Sequence, residues 1–262
     1  MKVLFLGDIF GKPGREVVKN KLKSIIDEND IDFTIANGEN SAGGIGITPV
    51  ICKTLLESGI DVITSGNHIY KKKEIYDYIE KEPRLLKPAN FPPGTPGKGY
   101  HVMTDRKNNK IGIVNICGRI FVDYYDCPFR CVDKVLEKIR KETRTIIVDF
   151  HAEVTSEKIA MGWYLDGRVS AVLGTHTHVQ TADERVLPGG TAYITDVGMV
   201  GPRDSVIGVE RENILKRFLT MMPQKFIVAE GDYLLNAVIV DIDHRSGRAD
   251  SIKRLNLTFN SI

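Results

Sequence analysis

The sequence lacks a membrane span: no run approaches the ~18 consecutive apolar residues that cross a bilayer. No secretory leader is expected either. The opening Val3-Leu4-Phe5-Leu6 is a four-residue apolar run that stops at Gly7-Asp8, too short for a leader's apolar core. These two absences lead to the expectation of a cytoplasmic protein. Charge of one sign is missing as well. A net charge of +2 is too near zero for a surface that coats nucleic acid, so nucleic acid is not indicated as a partner. Cysteine is sparse, and Cys52, Cys117, Cys127 and Cys131 show no C-x-x-C spacing. They are expected to be reduced thiols without a role. Repeats and low-complexity tracts are absent. What is left is the composition of a soluble globular chain, 42% hydrophobic and 27% charged, with length enough for a large core.

What is present is an alternation of strand and helix. Val3 to Leu6, Phe33 to Ala36, Asp61 to Thr64, Ile146 to Val148 and Val169 to Leu173 are short apolar runs that predict buried strands. Gly7 to Lys12 is expected as a loop, with Pro13 opening a helix whose face is Val17, Val18, Leu22, Ile25 and Ile26. Thr48-Pro49 caps a second helix. Further helices are expected from Lys73 to Glu80, Phe129 to Lys141, Ser156 to Leu165 and Arg211 to Leu219. Tyr100 to Met103 and Ile111 to Ile116 flank Asn108-Asn109 as a hairpin. Val186 to Ile194 predicts another, and Phe226 to Ala229, Tyr233 to Ile242 and Ile252 to Leu257 predict strands. Pro88 to Gly99 is rich in proline and glycine and is expected as a surface connection. The whole chain, 1–262, is expected to be a single domain.

The chemistry gathers at strand ends. Phe33 to Ala36 runs into Asn37-Gly38-Glu39-Asn40, a carboxylate and an amide on a glycine-rich loop. Four other runs also end in potential ligands: Asp8, then Asn67 with His68, then His151, then His176 with His178. Histidine is scarce, six in the chain, yet four of the six stand at these ends. Loops beyond the carboxyl ends of α/β strands share one crevice, so these residues are expected to converge. His176 and His178 are two apart, which on an extended strand end turns both to one face. Imidazole, carboxylate and amide without thiolate favour Mn, Fe or Zn over Ca or Mg. So many ligands exceed one tetrahedral site and suit two metals roughly 3.5–4 Å apart, bridged by a carboxylate. Such a pair activates hydroxide and clamps phosphoryl oxygens in an in-line displacement. His101 and His244 are expected to be structural, and Lys71-Lys72-Lys73 a solvated helix start.

Gly7-Asp8, Asn37-Gly38-Glu39-Asn40, Gly66-Asn67-His68, Phe150-His151 and Gly174-Thr175-His176-Thr177-His178 together resemble the calcineurin-like metallophosphoesterases. With Gly7-Asp8-Ile9-Phe10-Gly11 and Thr195-Asp196-Val197-Gly198-Met199, the chain more closely resembles their YmdB-like branch. Phe10 stands where the superfamily has a histidine, and Glu39 stands where it has a bridging aspartate. The resemblance implies an α/β fold, a four-layer α/β/β/α sandwich. It implies Asp8, Glu39, Asn40 and His178 around one metal, and Glu39, Asn67, His151 and His176 around the other, with His68 as general acid. It implies two metal ions, iron or manganese first and zinc as the alternative. It also implies a phosphodiesterase for cyclic nucleotides of the 2′,3′ type. A phosphomonoesterase or protein phosphatase on the same site, and a slow-turnover regulatory protein that binds nucleotide or RNA, are the competing readings.

Overall fold

In the computed structural model, which describes residues 1–260, the chain opens with β1 (Lys2–Leu6), β2 (Asp8–Ile9), α1 (Gly11–Asn29), β3 (Phe33–Asn37), α2 (Pro49–Glu57), β4 (Val62–Thr64) and α3 (Ile75–Ile79). There follow β5 (Tyr100–Thr104), β6 (Lys110–Cys117), α4 (Pro128–Ile139), β7 (Ile146–His151), α5 (Thr155–Leu165) and β8 (Ala171–Thr175). The chain ends with β9 (Arg185–Val186), β10 (Ala192–Ile194), β11 (Met199–Pro202), α6 (Arg211–Thr220), β12 (Tyr233–Asp243) and β13 (Arg248–Phe259). One sheet has the order β2-β11-β12-β1-β3-β4, with β13 paired to β12. The other has the order β5-β6-β7-β8-β10-β9. β1, β3 and β4 are mutually parallel, as are β6, β7, β8 and β10.

Side-chain alternation sets four layers. Val3 and Phe5 of β1, with Phe33 and Ile35 of β3, turn inward to meet Ile113, Ile147 and Leu173 of the second sheet. Leu4 and Leu6 turn outward onto Val17, Val18 and Leu22 of α1. On the far side Val114, Val148 and Phe150 turn outward onto Val132, Leu136 and Met161 of α4 and α5. The parallel strands are thus covered on both faces, which explains their nearly unbroken apolar runs. The result is the expected α/β/β/α sandwich.

Several boundaries differ from the sequence reading. Asp8–Ile9 is a strand, not loop, and pairs in parallel with Met199–Val200; a two-residue strand is too short to show a period. α3 spans only Ile75–Ile79, so Lys71-Lys72-Lys73 precedes the helix. Phe226 to Ala229 is not a strand. Only Val228 makes a bridge, to Val209, while the Phe226 ring sits 6.2 Å from Phe10. Its apolar residues cover the β2–α1 corner and do not join a ladder. Pro88 to Gly99 is only partly a surface connection: Asn90 is buried and ties the Cys117 backbone through both its amide atoms. His101 lies on edge strand β5 and His244 in the exposed β12–β13 turn. The four cysteines are free. No helix among the described residues is long and apolar enough to cross a membrane.

Candidate metal centre

Each parallel strand hands its loop to the same rim, and here two sheets contribute rims that meet. Asp8, Glu39, Asn40, Asn67 and His68 come from the first sheet; His151, His176 and His178 come from the second. The convergence expected in one crevice is therefore a seam between sheets. Glu39 is its centre. Its Oε1 lies 3.1 Å from His151 Nε2 and 3.3 Å from His68 Nδ1, and its Oε2 accepts the His68 backbone N–H at 2.9 Å. Burial alone would raise this carboxyl. His151 and His68 more than offset that and hold it at about 2, so it is a carboxylate. Gly66 makes the closeness feasible: a Cβ there would lie 2.1 Å from the His151 ring and 2.6 Å from Glu39 Oε2.

Around Glu39 the ligand atoms fall into two groups. In the first, His151 Nε2 lies 3.0 Å from His176 Nδ1 and 3.2 Å from Asn67 Oδ1. The ligand atoms of Glu39, His151 and His176 all lie within 4.8 Å of one another, a set that could hold a metal ion. Hydrogen-bond partners assign the tautomers. Thr175 Oγ1 donates to Asp149 Oδ1 at 2.7 Å and so accepts from His151 Nδ1–H at 2.9 Å. His176 Nε2 donates to Glu153 Oε2 at 3.1 Å. Two ring lone pairs then face each other, which is repulsive unless a metal ion, or a proton on His151, lies between them. The electrostatics agree that positive charge is drawn here. Burial would lower His151, but Glu39 beside it raises it to about 9. His176 is pushed down to about 3 by burial and by His151, so its imidazole stays neutral.

The second group holds Asp8, Asn40 and His178. Asp8 is fully buried, and its Oδ1 has no hydrogen-bond partner although it points at His178 Nε2, 3.7 Å away. An orphaned buried carboxylate oxygen is costly and is the donor a cation would satisfy. His178 Nδ1 donates to the Ile207 carbonyl at 2.9 Å, which leaves the Nε2 lone pair for the seam. Asn40 turns Nδ2 toward His178 at 3.1 Å and Oδ1 toward His68 Nδ1 at 2.8 Å. Ligation by its oxygen requires a half-turn of the amide, which exchanges the two atoms without changing the shape. Phe10 supplies a wall: its ring meets His178 edge-on with centroids 5.5 Å apart.

One expectation fails here. His176 and His178 do not extend β8 with both rings on one face. β8 ends at Thr175, and the two residues take φ of 99° and 67°. The loop coils, sending His176 to the His151 group and His178 to the Asp8 group. Positive φ at non-glycine residues costs on the order of 1–3 kcal/mol and persists only where surroundings fix it. Here Asp196 fixes it. Its Oδ2 accepts from Thr177 N–H at 3.1 Å, from Thr177 Oγ1 at 2.8 Å and from buried Lys158 Nζ at 2.6 Å. Lys158 also donates to the Thr175 carbonyl at 2.7 Å. The sequence reading did not single out Lys158 or Asp149, and Thr175 lay inside the Gly174 to His178 block without a role of its own. Asp149 had a signal, since it lies two before His151 and so shares its face of β7; Asp196 lay inside the Thr195 to Met199 block. Asn37, first residue of the Asn37 to Asn40 block, donates to Asp149 Oδ2 at 3.1 Å.

Four layers with a carboxylate–imidazole cluster at the seam give a fold of the metallophosphoesterase type and the class of phosphoric ester hydrolases. The structure superposes with a TM-score of 0.93 on a novel phosphatase from Mycoplasma pneumoniae, 34% identical, covering 100% of this chain and 94% of that one. A hypothetical protein from Thermus thermophilus superposes with a TM-score of 0.92 at 42% identity, covering 100% of both chains. The chain belongs to the YmdB-like family, whose model, described as YmdB-like protein, matches residues 4–255. It is 51% identical over 255 residues to the 2′,3′-cyclic-nucleotide 2′-phosphodiesterase of Bacillus subtilis, covering 97% of this chain and 96% of that protein. It is 35% identical to a putative phosphatase/phosphodiesterase of Mycoplasma genitalium, covering 99% of this chain and 94% of that one.

Proposed function

We propose that this phosphoric ester hydrolase is a dinuclear-metal phosphodiesterase acting on 2′,3′-cyclic nucleotides. The observation that carries the proposal is the convergence of His151 Nε2 and His176 Nδ1, 3.0 Å apart, beside a buried, unpartnered Asp8 oxygen, with Glu39 between the two groups. Asp8, Glu39, Asn40 and His178 would hold one ion; Glu39, Asn67, His151 and His176 would hold the other. Iron or manganese suits this mixed nitrogen and oxygen set, with zinc as the alternative. Bound metals supply an activated water and neutralise phosphoryl charge. Residues 1–262 act as one metallophosphoesterase domain in this proposal, consistent with the apolar core the two sheets share. A cytoplasmic location is part of it as well.

The chain's own residues position and protonate. In 2′-ester hydrolysis water oxygen adds to phosphorus, the P–O2′ bond breaks, and the departing O2′ needs a proton. His68 would give it. It stands on the loop after Asn67, is held by Glu39 through its backbone N–H, and keeps a partly exposed ring. Burial lowers its pKa, with Glu39 acting in the opposite sense, which makes its protonated form the stronger acid. In the protonated ring both nitrogens carry protons; Nδ1 faces Glu39 Oε1 and Asn40, which leaves Nε2–H to donate.

The test is a substrate panel with the Mn- or Fe-loaded protein. A 2′,3′-cyclic nucleotide is expected to yield the nucleoside 3′-monophosphate. Cleavage of p-nitrophenyl phosphate with no turnover of cyclic nucleotide would make the protein a phosphomonoesterase. Binding of the nucleotide with no turnover of either would make it a regulatory binding protein.

A further inference from the structure

A second concave site lies at the opposite end of the strands. His151 ends β7 and His176 follows β8, whereas Arg144 precedes β7 and Val169 precedes β8. Between these leading ends, the β9–β10 turn and the β12–β13 turn is a cavity of about 310 Å³. Four arginines line it, Arg140, Arg144, Arg168 and Arg248, and no carboxylate does. Surface arginines are ordinarily solvated and unremarked, but these four converge on one hollow and are unevenly satisfied. Arg168 is held by Asp133 at 2.5 Å, from outside the cavity. Arg140 donates to the Arg168 carbonyl at 2.5 Å. Its guanidinium is held below its ordinary value by burial and by the neighbouring Arg168 charge. Arg144 and Arg248 have no side-chain hydrogen-bond or ion-pair partner among the described residues.

Glycine lets this crowding form. Gly190 takes φ 92°, and a Cβ there would lie 2.6 Å from Arg248 Nε, so the guanidinium lies directly on the turn. At Gly247 a Cβ would meet the Arg144 carbonyl at 2.4 Å. The backbone N–H groups of Gly189, Gly190 and Gly247 are already donated within the protein, to Asp166, Leu187 and Asp243. Recognition here therefore falls to the guanidinium groups. Each arginine offers five N–H donors in a planar fork that matches the oxygens of a phosphate, and it holds its charge at any physiological pH.

We propose that this cleft is a second anion site that binds a phosphate dianion, with Arg144 and Arg248 as its principal ligands. The dianion can be free inorganic phosphate or the phosphomonoester of a small molecule; the cavity lies at the lower end of the range of small-molecule sites. The proposal is independent of what the seam hydrolyses.

The experiment is calorimetric titration of the metal-loaded protein with inorganic phosphate, with a nucleoside 3′-monophosphate and with the bare nucleoside. Four proteins are compared: the natural chain, Arg144→Ala/Arg248→Ala, Arg144→Lys/Arg248→Lys, and Glu39→Ala. The natural chain is expected to show two phosphate-binding events. Arg144→Ala/Arg248→Ala loses one of them, weakening it by at least about tenfold. Arg144→Lys/Arg248→Lys retains part of it. Phosphoester turnover in both arginine variants stays within about twofold of the natural chain. Glu39→Ala keeps the arginine event, which shows that it does not belong to the seam. Equal binding of phosphate and nucleotide assigns free phosphate as the ligand, and tighter nucleotide binding assigns a phosphomonoester. An unchanged isotherm in Arg144→Ala/Arg248→Ala overturns the proposal, as does loss of all phosphate binding in Glu39→Ala.

Discussion

Replacing Lys158 by Met isolates the clamp behind the histidine loop. The Lys158 side chain is 2% exposed and that of Asp196 is 0% exposed, with Nζ and Oδ2 2.6 Å apart. Methionine matches the length of the lysine stem, so packing is nearly kept and charge alone is removed. Removing one partner of a buried pair costs about 3–5 kcal/mol, because the other charge stays buried. Asp196 keeps three donors after the change, Thr177 N–H and Oγ1 on Oδ2 and Gly198 N–H on Oδ1, which favours the low end, about 3 kcal/mol. For a chain of this size each kcal/mol moves Tm by about 2–4 °C, so the fall is about 6–12 °C. The assay is thermal unfolding followed by circular dichroism, run with chelator so that metal linkage does not enter. Lys158→Met/Asp196→Asn is expected to cost less than the sum of the two single changes, since neighbours that interact are not additive. With the clamp weakened, the strained His176 and His178 backbone is also expected to hold metal less tightly, read by dialysis and elemental analysis. A Lys158→Met protein as stable as the natural chain, or a double variant whose cost equals the sum, would refute the clamp.

The other expectations concern the seam. His68→Ala should keep its metals and lose about 10²–10⁴-fold in rate on a cyclic nucleotide. The loss should be smaller on bis-p-nitrophenyl phosphate, whose leaving group needs little protonation; equal losses would make His68 a positioning residue. Activity lost to chelator should return with Mn and poorly with Ca, which prefers all-oxygen shells; full recovery with Ca alone would count against the imidazole cluster.

Much of this was legible in the sequence because parallel strands are short, doubly buried and apolar, and each is punctuated by the residues at its carboxyl end. Asp8, Glu39, Asn67, His151 and His176 could be read that way. That they meet at a seam between two sheets could not, because strand pairing over separations such as Glu39 to His151 leaves no local pattern. The coil of the His176–His178 loop was illegible for a related reason. An extended continuation of β8 is the local default, and what overrules it is Asp196 with Lys158, groups brought in from β10's far end and from α5. Phe226 to Ala229 misled in the opposite sense. Apolar residues that pack over a corner look in sequence like a strand, and only the missing ladder distinguishes them.

A carboxylate that joins two metal sites at the seam makes both ions depend on Glu39, and metal content reads that dependence without intermediaries. Elemental analysis of anaerobically purified natural protein is expected to give close to two ions per chain. The same measurement on Glu39→Ala is expected to give well below one, because the bridging carboxylate serves both ions. Two tightly held ions in Glu39→Ala would contradict the account.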